Sequence, residues 1–327
     1  MQERSKNFWV TKLLVSLNTV VFVWMCFSGA NFWSPEERYL IEFGAKYSRG
    51  LLQGEYFRIF TPIFVHVGFL HFLINNVALF MIGRQIELNI GPWLYLLSYL
   101  VTGICGSLLS ALLTNGNSAG ASGAIFGLVG IGFVFERAYA RRLFAQTGQR
   151  LRKGPFTGLV IVNVLLGFIL TSGPIRIDNA AHMGGLISGI LIGFSYLIAR
   201  RGILAARWTT LFNAVFFTVI MIVGAMAATS ESFYRFRIET TLNYLRSKQS
   251  QFEVLTEALN TLPTDDRYRF KRGALLTLDG QLSVADEDFA QISDKSLFRD
   301  EAQRLVNDLR AKSMSGEATY IGRLFSL

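Results

Sequence analysis

Six stretches of this 327-residue chain contain no Asp, Glu, Lys or Arg: 13–35, 59–83, 88–135, 154–175, 179–199 and 208–230. An apolar run of about 18 or more residues is long enough to cross the hydrocarbon of a bilayer as a helix. The third stretch has room for two such spans and breaks at Asn115-Gly116-Asn117-Ser118, a turn composition. The expectation is an all-α membrane protein with seven spans, near 13–29, 69–86, 93–113, 121–138, 156–172, 179–199 and 208–229. Beyond about residue 230 charges return every few residues, so the last part reads as a separate, water-facing segment.

The net charge of +9 does not point to nucleic acid, because of where the cations lie. They gather at Arg4, Lys6 and Lys12, at Arg137, Arg141, Arg142, Arg150, Arg152 and Lys153, and at Arg200, Arg201 and Arg207. These are short segments beside predicted span ends, where positive charge marks the cytoplasmic side. Counting from a cytoplasmic N-terminus places all three clusters inside and the tail outside, with the cell membrane as the expected location. The first span has a basic start and Ser28-Gly29-Ala30, which resembles a signal-peptide cleavage site. Its apolar run is long for a signal peptide, so it reads as a retained span. Cys26 and Cys105 both fall within predicted spans and read as buried thiols, not as a disulfide or metal framework.

The expected organisation is a cytoplasmic lead (1–12), a six-helix core (13–200), a seventh span (201–230) and a soluble helical domain (231–327). The loop at 30–60 carries Trp33, Phe43, Tyr47, Tyr56 and Phe57, a composition that favours the headgroup layer. In the tail, Gly273, Ala274, Gly280, Ala285 and Phe289 fall at small and large positions of a 34-residue helix-turn-helix repeat. An ordinary helical hairpin is an equally good reading of those residues.

Polar groups at membrane depth are costly, so their presence marks function. All three histidines, His66, His71 and His182, lie in the apolar part, and Ser122 stands in Gly120-Ala121-Ser122-Gly123. Gly120, Gly123, Gly127 and Gly130 form one small-residue group; Ala181, Gly185, Gly189 and Gly193 form another at steps of four. Two such faces let helix backbones approach closely. Ser122 and His182 then lie at similar depth, at the outer starts of their helices, and can meet. His71 and Asn75, at i and i+4, share a helix face and offer two donors. A nucleophile, a base and donors for a developing oxyanion are the parts of acyl transfer. Phe126, one turn below Ser122, either stacks on His182 or packs in the core. Asp178, four residues before His182, either bonds the imidazole or caps a helix. His66 reads as a partner that holds the loop.

With those strings in view, the chain resembles the rhomboid intramembrane serine proteases. The matched residues are Glu55-Tyr56-Phe57-Arg58, Thr61-Pro62-Ile63-Phe64-Val65-His66, then His71, Asn75, Gly83 and Glu87. Gly120-Ala121-Ser122-Gly123 and Ala181-His182-Met183-Gly184-Gly185 with Gly189 complete the set, over about 50–199. Phe57 departs from the family, many of whose members have Trp before the loop arginine. The resemblance implies Ser122 as nucleophile, His182 as general base and acid, and His71 and Asn75 as oxyanion-hole side chains. It implies six core helices, with the serine open to a water-filled cavity from outside. It also implies membrane-protein substrates with one span, cut near the outer surface, and no cofactor or metal. Arg58 and Glu87 read as structural, holding the loop and the inner end of the second span. The alternative is a catalytically silent relative that binds client helices as a scaffold. Loss of Ser122 or His182 would mark it, and both are present. An intramembrane aspartyl protease is disfavoured, since Asp178 is the sole aspartate before Asp265. The tail, on the side of the site's mouth, is expected either to recruit a protein partner or to serve assembly.

Overall fold

The computed structural model describes residues 7–114, 116–148, 154–161, 178–244, 247–300, 302–304 and 307. The chain divides into two compact units, Met1–Ser230 and Glu231–Leu327.

In the first unit, α1 (Trp9–Phe27) is followed by a loop with two short helices, α2 (Glu37–Glu42) and α3 (Ser48–Leu52), and two 3₁₀ turns, Tyr56–Ile59 and Thr61–Phe64. α4 (Phe69–Ala78) runs through a π-turn, Leu79–Gly83, into α5 (Arg84–Ile90), and together they make one 22-residue span. That span ends because Gly91 takes φ 87°, and Pro92 at the first position starts α6 (Pro92–Leu113). Glycine tolerates the left-handed turn, and proline forfeits only an N–H that a helix start leaves unpaired. α7 (Ser122–Thr147) ends on Gly148 in the left-handed conformation, the usual helix stop. α8 (Asn179–Ala199) is capped by Asp178, and α9 (Ile203–Ala228) follows after Gly202.

Among the described residues, five helices are long and apolar enough to cross a membrane. The count is up to six if the bent pair Phe216–Ala228 and Glu231–Glu239 is taken as one span. The predicted fifth span, 156–172, lies outside the described residues except for a helical segment at 155–161. Two predicted boundaries shift. α1 begins about a turn earlier than expected, because Glu87 accepts the Val10 and Thr11 N–H groups at 3.1 and 2.8 Å and so caps it. α7 runs nine residues past its predicted end at 138, through Arg141 and Arg142. A helix need not stop where its apolar stretch does, since charged residues continue it into the headgroup layer.

α7 is the central helix: 61% of its apolar window is buried by protein, against 33% for α1. The core joins Leu14, Ile63, Leu79, Tyr95, Tyr99, Leu128 and Ile131. Trp24, Leu97, Ile187 and Val223 are among many large apolar side chains left exposed, as a lipid-facing surface requires.

The second unit contains α10 (Glu231–Tyr244), α11 (Lys248–Thr261), α12 (Asp266–Leu278) and α13 (Leu282–Ala290). Asp265 caps α12 by accepting from the Arg267 and Tyr268 N–H groups. α12 and α13 form a helical hairpin around Phe270, Ala274, Leu276, Ala285 and Phe289. A β-carbon on Gly273 would come within 2.6 Å of the Phe289 ring, which explains the small residue there. This packing is common to repeats and to ordinary hairpins alike.

Candidate active site

Three helix starts converge on the site: α4 brings His71 and Asn75, α7 brings Ser122, and α8 brings His182. α7 and α8 are parallel, and their register is fixed by glycines. A β-carbon on Gly185 would collide with the Gly123 carbonyl, and one on Gly189 with the Gly127 carbonyl. One on Gly193 would press on Ile131 and Val134. Each step of four along α8 thus matches a step of four along α7. α6 enters the same junction: β-carbons on Gly106 and Gly184 would sit 2.7 and 2.6 Å from the carbonyl oxygens of Ala181 and Cys105. The sequence reading missed α6's share, although Gly103, Gly106, Ser107 and Ser110 carry the small-residue signal.

This packing sets Ser122 Oγ 2.8 Å from His182 Nε2. Both residues are partly buried, so the pair is reachable. The Phe126 ring lies against the imidazole, centroids 4.2 Å apart and planes at 17°. The same ring packs with Val129 and Leu186, so stacking and core packing describe Phe126 together. Asp178 has the capping role: Oδ1 accepts from the Ala181 N–H at 2.9 Å and Oδ2 from the Ser110 hydroxyl. Both carboxylate oxygens thus have partners other than the imidazole.

The turn before Ser122 is held from two sides. The Gly120 N–H donates to Pro62 O at 2.8 Å, and Lys46 and Ser118 pair as an isolated bridge. Gly120 has φ 134°, and a β-carbon there would lie 2.7 Å from His71 Cε1 and 3.0 Å from Nε2. Ser122 Oγ is 3.7 Å from that same point. So a side chain on Gly120 would crowd the His71 ring on the side where Ser122 Oγ lies. His71 Nδ1 accepts from the Val67 N–H at 3.4 Å, which puts the ring proton on Nε2, on the side of the serine. Asn75 is buried and its Nδ2 donates to His71 O at 2.8 Å, leaving one amide proton for another acceptor. α7 has Ala121 at its N-cap and no side-chain cap. The first N–H groups of a helix lack intrahelical partners and carry its positive dipole end, so this start suits an anion.

The supporting residues lie further out. Arg58 pairs with Glu55 and donates to Ile41 O and Ala45 O at 2.6 and 3.0 Å, tying the loop together. Glu87 is buried midway along α5, where it caps α1 and accepts from the Thr11 hydroxyl at 2.7 Å. His66 is fully buried beside His71, ring centroids 5.6 Å apart, and its Nδ1 donates to Phe64 O at 3.1 Å. Burial first, and His71 second, push its pKa down to about 3, so it stays neutral.

Comparison with known proteins gives the same 53–199 region as a match to the Rhomboid domain. The chain is 33% identical over 198 residues to the rhomboid protease GluP of Bacillus subtilis, covering 60% of this chain and 36% of that one. It is 34% identical over 164 residues to Rhomboid-like protease 1 of Toxoplasma gondii, with 50% and 54% covered. With the rhomboid protein YdcA of Bacillus subtilis it shares 33% identity over 151 residues, 45% of this chain and 71% of that one. The chain spans about a third to a half of the length of the first such relatives. With a domain match over the site-bearing helices and a relative matched along most of its length, this multi-pass chain belongs to the rhomboid family.

Proposed function

We propose that this protein is an intramembrane serine endopeptidase that cuts single-span membrane proteins near the outer face of the cell membrane. The observation that carries the reading is the 2.8 Å contact between Ser122 Oγ and His182 Nε2 at the shared start of two glycine-locked helices. His182 takes the hydroxyl proton as Ser122 Oγ bonds to the scissile carbonyl carbon. The oxyanion is met by the Ser122 N–H at the uncapped start of α7, by His71 Nε2–H and by the remaining amide proton of Asn75. His182 then gives its proton to the departing amine nitrogen as the C–N bond breaks. Water repeats the sequence on the acyl-enzyme ester, losing its proton to His182 and freeing Ser122. Phe126 supports this cycle by keeping the imidazole plane fixed, and the engagement of Asp178 favours a dyad over a triad.

The substrate segment must be locally extended, because a helical peptide bond has its carbonyl bonded and shielded. The cluster Arg137, Arg141 and Arg142 lies at the end of α7 remote from Ser122, which supports a cytoplasmic N-terminus and a site opening outward. By that count the tail is outside, where it can receive a protein partner.

The test is labelling by a fluorophosphonate serine probe in detergent, followed by cleavage of a model single-span substrate. Ser122→Ala should lose labelling and cleavage, and His182→Ala should lose both by at least about 10³-fold. The double variant should be no worse than either single one, since the pair acts as a unit. Labelling of Ser122→Ala equal to that of the parent would refute the proposal.

A further inference from the structure

A cavity of about 690 Å³ opens between the halves of α7 and α8 remote from the serine. Phe133, Ala138, Phe194 and Leu197 line it, together with Arg137 and Arg141. On α7, Phe133, Arg137 and Arg141 follow at steps of four, so they share one face. The cavity is apolar where the helix is still in its charge-free stretch and cationic one and two turns beyond. Arg137 lies over the Phe133 ring at 5.3 Å. Neither arginine is paired with a carboxylate among the described residues. The nearest acid in sequence, Glu136, points elsewhere: it accepts from the Phe156 N–H at 2.9 Å and from the Thr157 hydroxyl.

We infer that this cleft binds an anionic phospholipid, with its phosphate between Arg137 and Arg141 and an acyl chain along Phe133, Phe194 and Leu197. Two guanidiniums without a counter-ion call for an anion, and their forked donors suit phosphate oxygens. The apolar wall calls for a chain attached to that anion. Among the described residues, no acid lines the cavity to receive the cation of a zwitterionic headgroup. Basic pockets between membrane helices are a recurring form of lipid site. The inference rests on the chain spanning a membrane and is independent of the proposed catalysis.

The test is native mass spectrometry of the full chain in detergent, titrated with phosphatidylglycerol or with phosphatidylcholine of the same chains. Phosphatidylglycerol should be retained selectively. Arg137→Gln/Arg141→Gln should weaken it by about 25-fold, roughly fivefold per arginine. Arg142→Gln removes the same charge one residue outside the lining and should bind as the parent does. Ala138→Trp keeps both arginines but fills the cavity, and should also lose the lipid; thermal midpoints compare the folding of all variants. Undiminished binding by the double variant, an equal loss in Arg142→Gln, or equal retention of phosphatidylcholine would overturn the inference. Displacement of the lipid by glycerol phosphate would also overturn it, since that outcome marks a site for a soluble anion.

Discussion

Two of the seams within the first unit are built from opposite materials. The α7–α8 seam is backbone against backbone: Gly185 and Gly189 meet the carbonyls of Gly123 and Gly127, with no room for a side chain. The seam of α1 with α4–α5 is made by side chains at three depths. Thr11 meets Glu87, Asn18 meets Asn76, and Phe22 stacks on Phe72 with centroids 4.5 Å apart. As one residue number rises the other falls, so these helices are antiparallel. Side chains can re-pack, and a seam made of them loses stability by degrees. A backbone seam cannot re-pack, and this one carries Ser122 and His182 on its two halves. The difference teaches that positional accuracy was built where there is no side chain to re-pack.

The largest expected effect follows from breaking the backbone seam. Gly185→Val or Gly189→Leu must part α7 from α8, and about 1 Å of misplacement at reacting groups is enough for a 10²-fold loss. Cleavage should fall by at least about 10²-fold, with membrane insertion retained. Near-parental cleavage by either variant would show that the seam does not set the site.

The second effect is on the other seam and should appear as stability. Glu87→Ala strips α1 of the carboxylate that accepts from Val10, Thr11 and the Thr11 hydroxyl. Loss of a charged acceptor that leaves buried donors unpaired costs about 3 kcal/mol. Glu87→Gln keeps an acceptor and should cost about half as much. Both should show a lower unfolding midpoint in detergent with unchanged cleavage per folded molecule. A variant that stays stable but stops cleaving would place Glu87 in the site's own machinery.

The contrast between seams also explains what the sequence could reveal. α8 occupies the predicted 179–199 because Asp178 and Arg200 bound a charge-free run at both ends. The nearness of Ser122 and His182 was legible because glycines at steps of four have few uses other than close approach. The π-turn at Leu79–Gly83 left no trace in composition, since its residues are as apolar as those of an ordinary helix. Asp178 stayed ambiguous because a cap and an imidazole partner call for the same residue at nearly the same spacing. The ring proton of His71 was beyond reach as well: it depends on the Val67 N–H, a backbone group without identity in sequence.

A third, smaller effect lies at the outer end of the side-chain seam, where His66 packs edge-on to Phe72 at 5.7 Å. With Nδ1 donating to Phe64 O, its buried Nε2 has no partner among the described residues. A proton there would be a buried charge, hence a folded pKa of about 3. The unfolded chain takes up that proton below about pH 6.5, whereas the folded chain does not, so this contribution is lost as pH falls from about 6.5 towards 3. By pH 5 the loss amounts to up to about 2 kcal/mol. Comparing unfolding midpoints at pH 7 and pH 5, His66→Gln should show the shallower dependence. Identical pH slopes in parent and variant would mean that His66 is protonated as readily folded as unfolded.

The smallest effect tests whether the side-chain seam is graded all the way down. Asn18 Nδ2 donates to Asn76 Oδ1 at 3.1 Å, midway along α1. Asn76 Nδ2 is buried without a partner among the described residues, while Asn18 also faces the Tyr99 hydroxyl, so the pair itself uses only part of its capacity. Hydrogen bonds between membrane helices are worth about 0.6 kcal/mol on average, and about 1.7 at most. Asn18→Ala should therefore cost about 1 kcal/mol, combining the lost bond with a small cavity. Asn76→Ala should cost a similar amount. The two substitutions share one bond, so the double variant should be less destabilised than the sum of the singles. Asn76→Leu removes the unpaired Nδ2 and should cost less than Asn18→Leu, which also strips the buried Tyr99 hydroxyl of its neighbour. Strict additivity would show that the asparagines do not act on each other. A loss of cleavage comparable to that of Gly185→Val would erase the distinction between the two seams, because a graded contact would then be setting the geometry of Ser122 and His182.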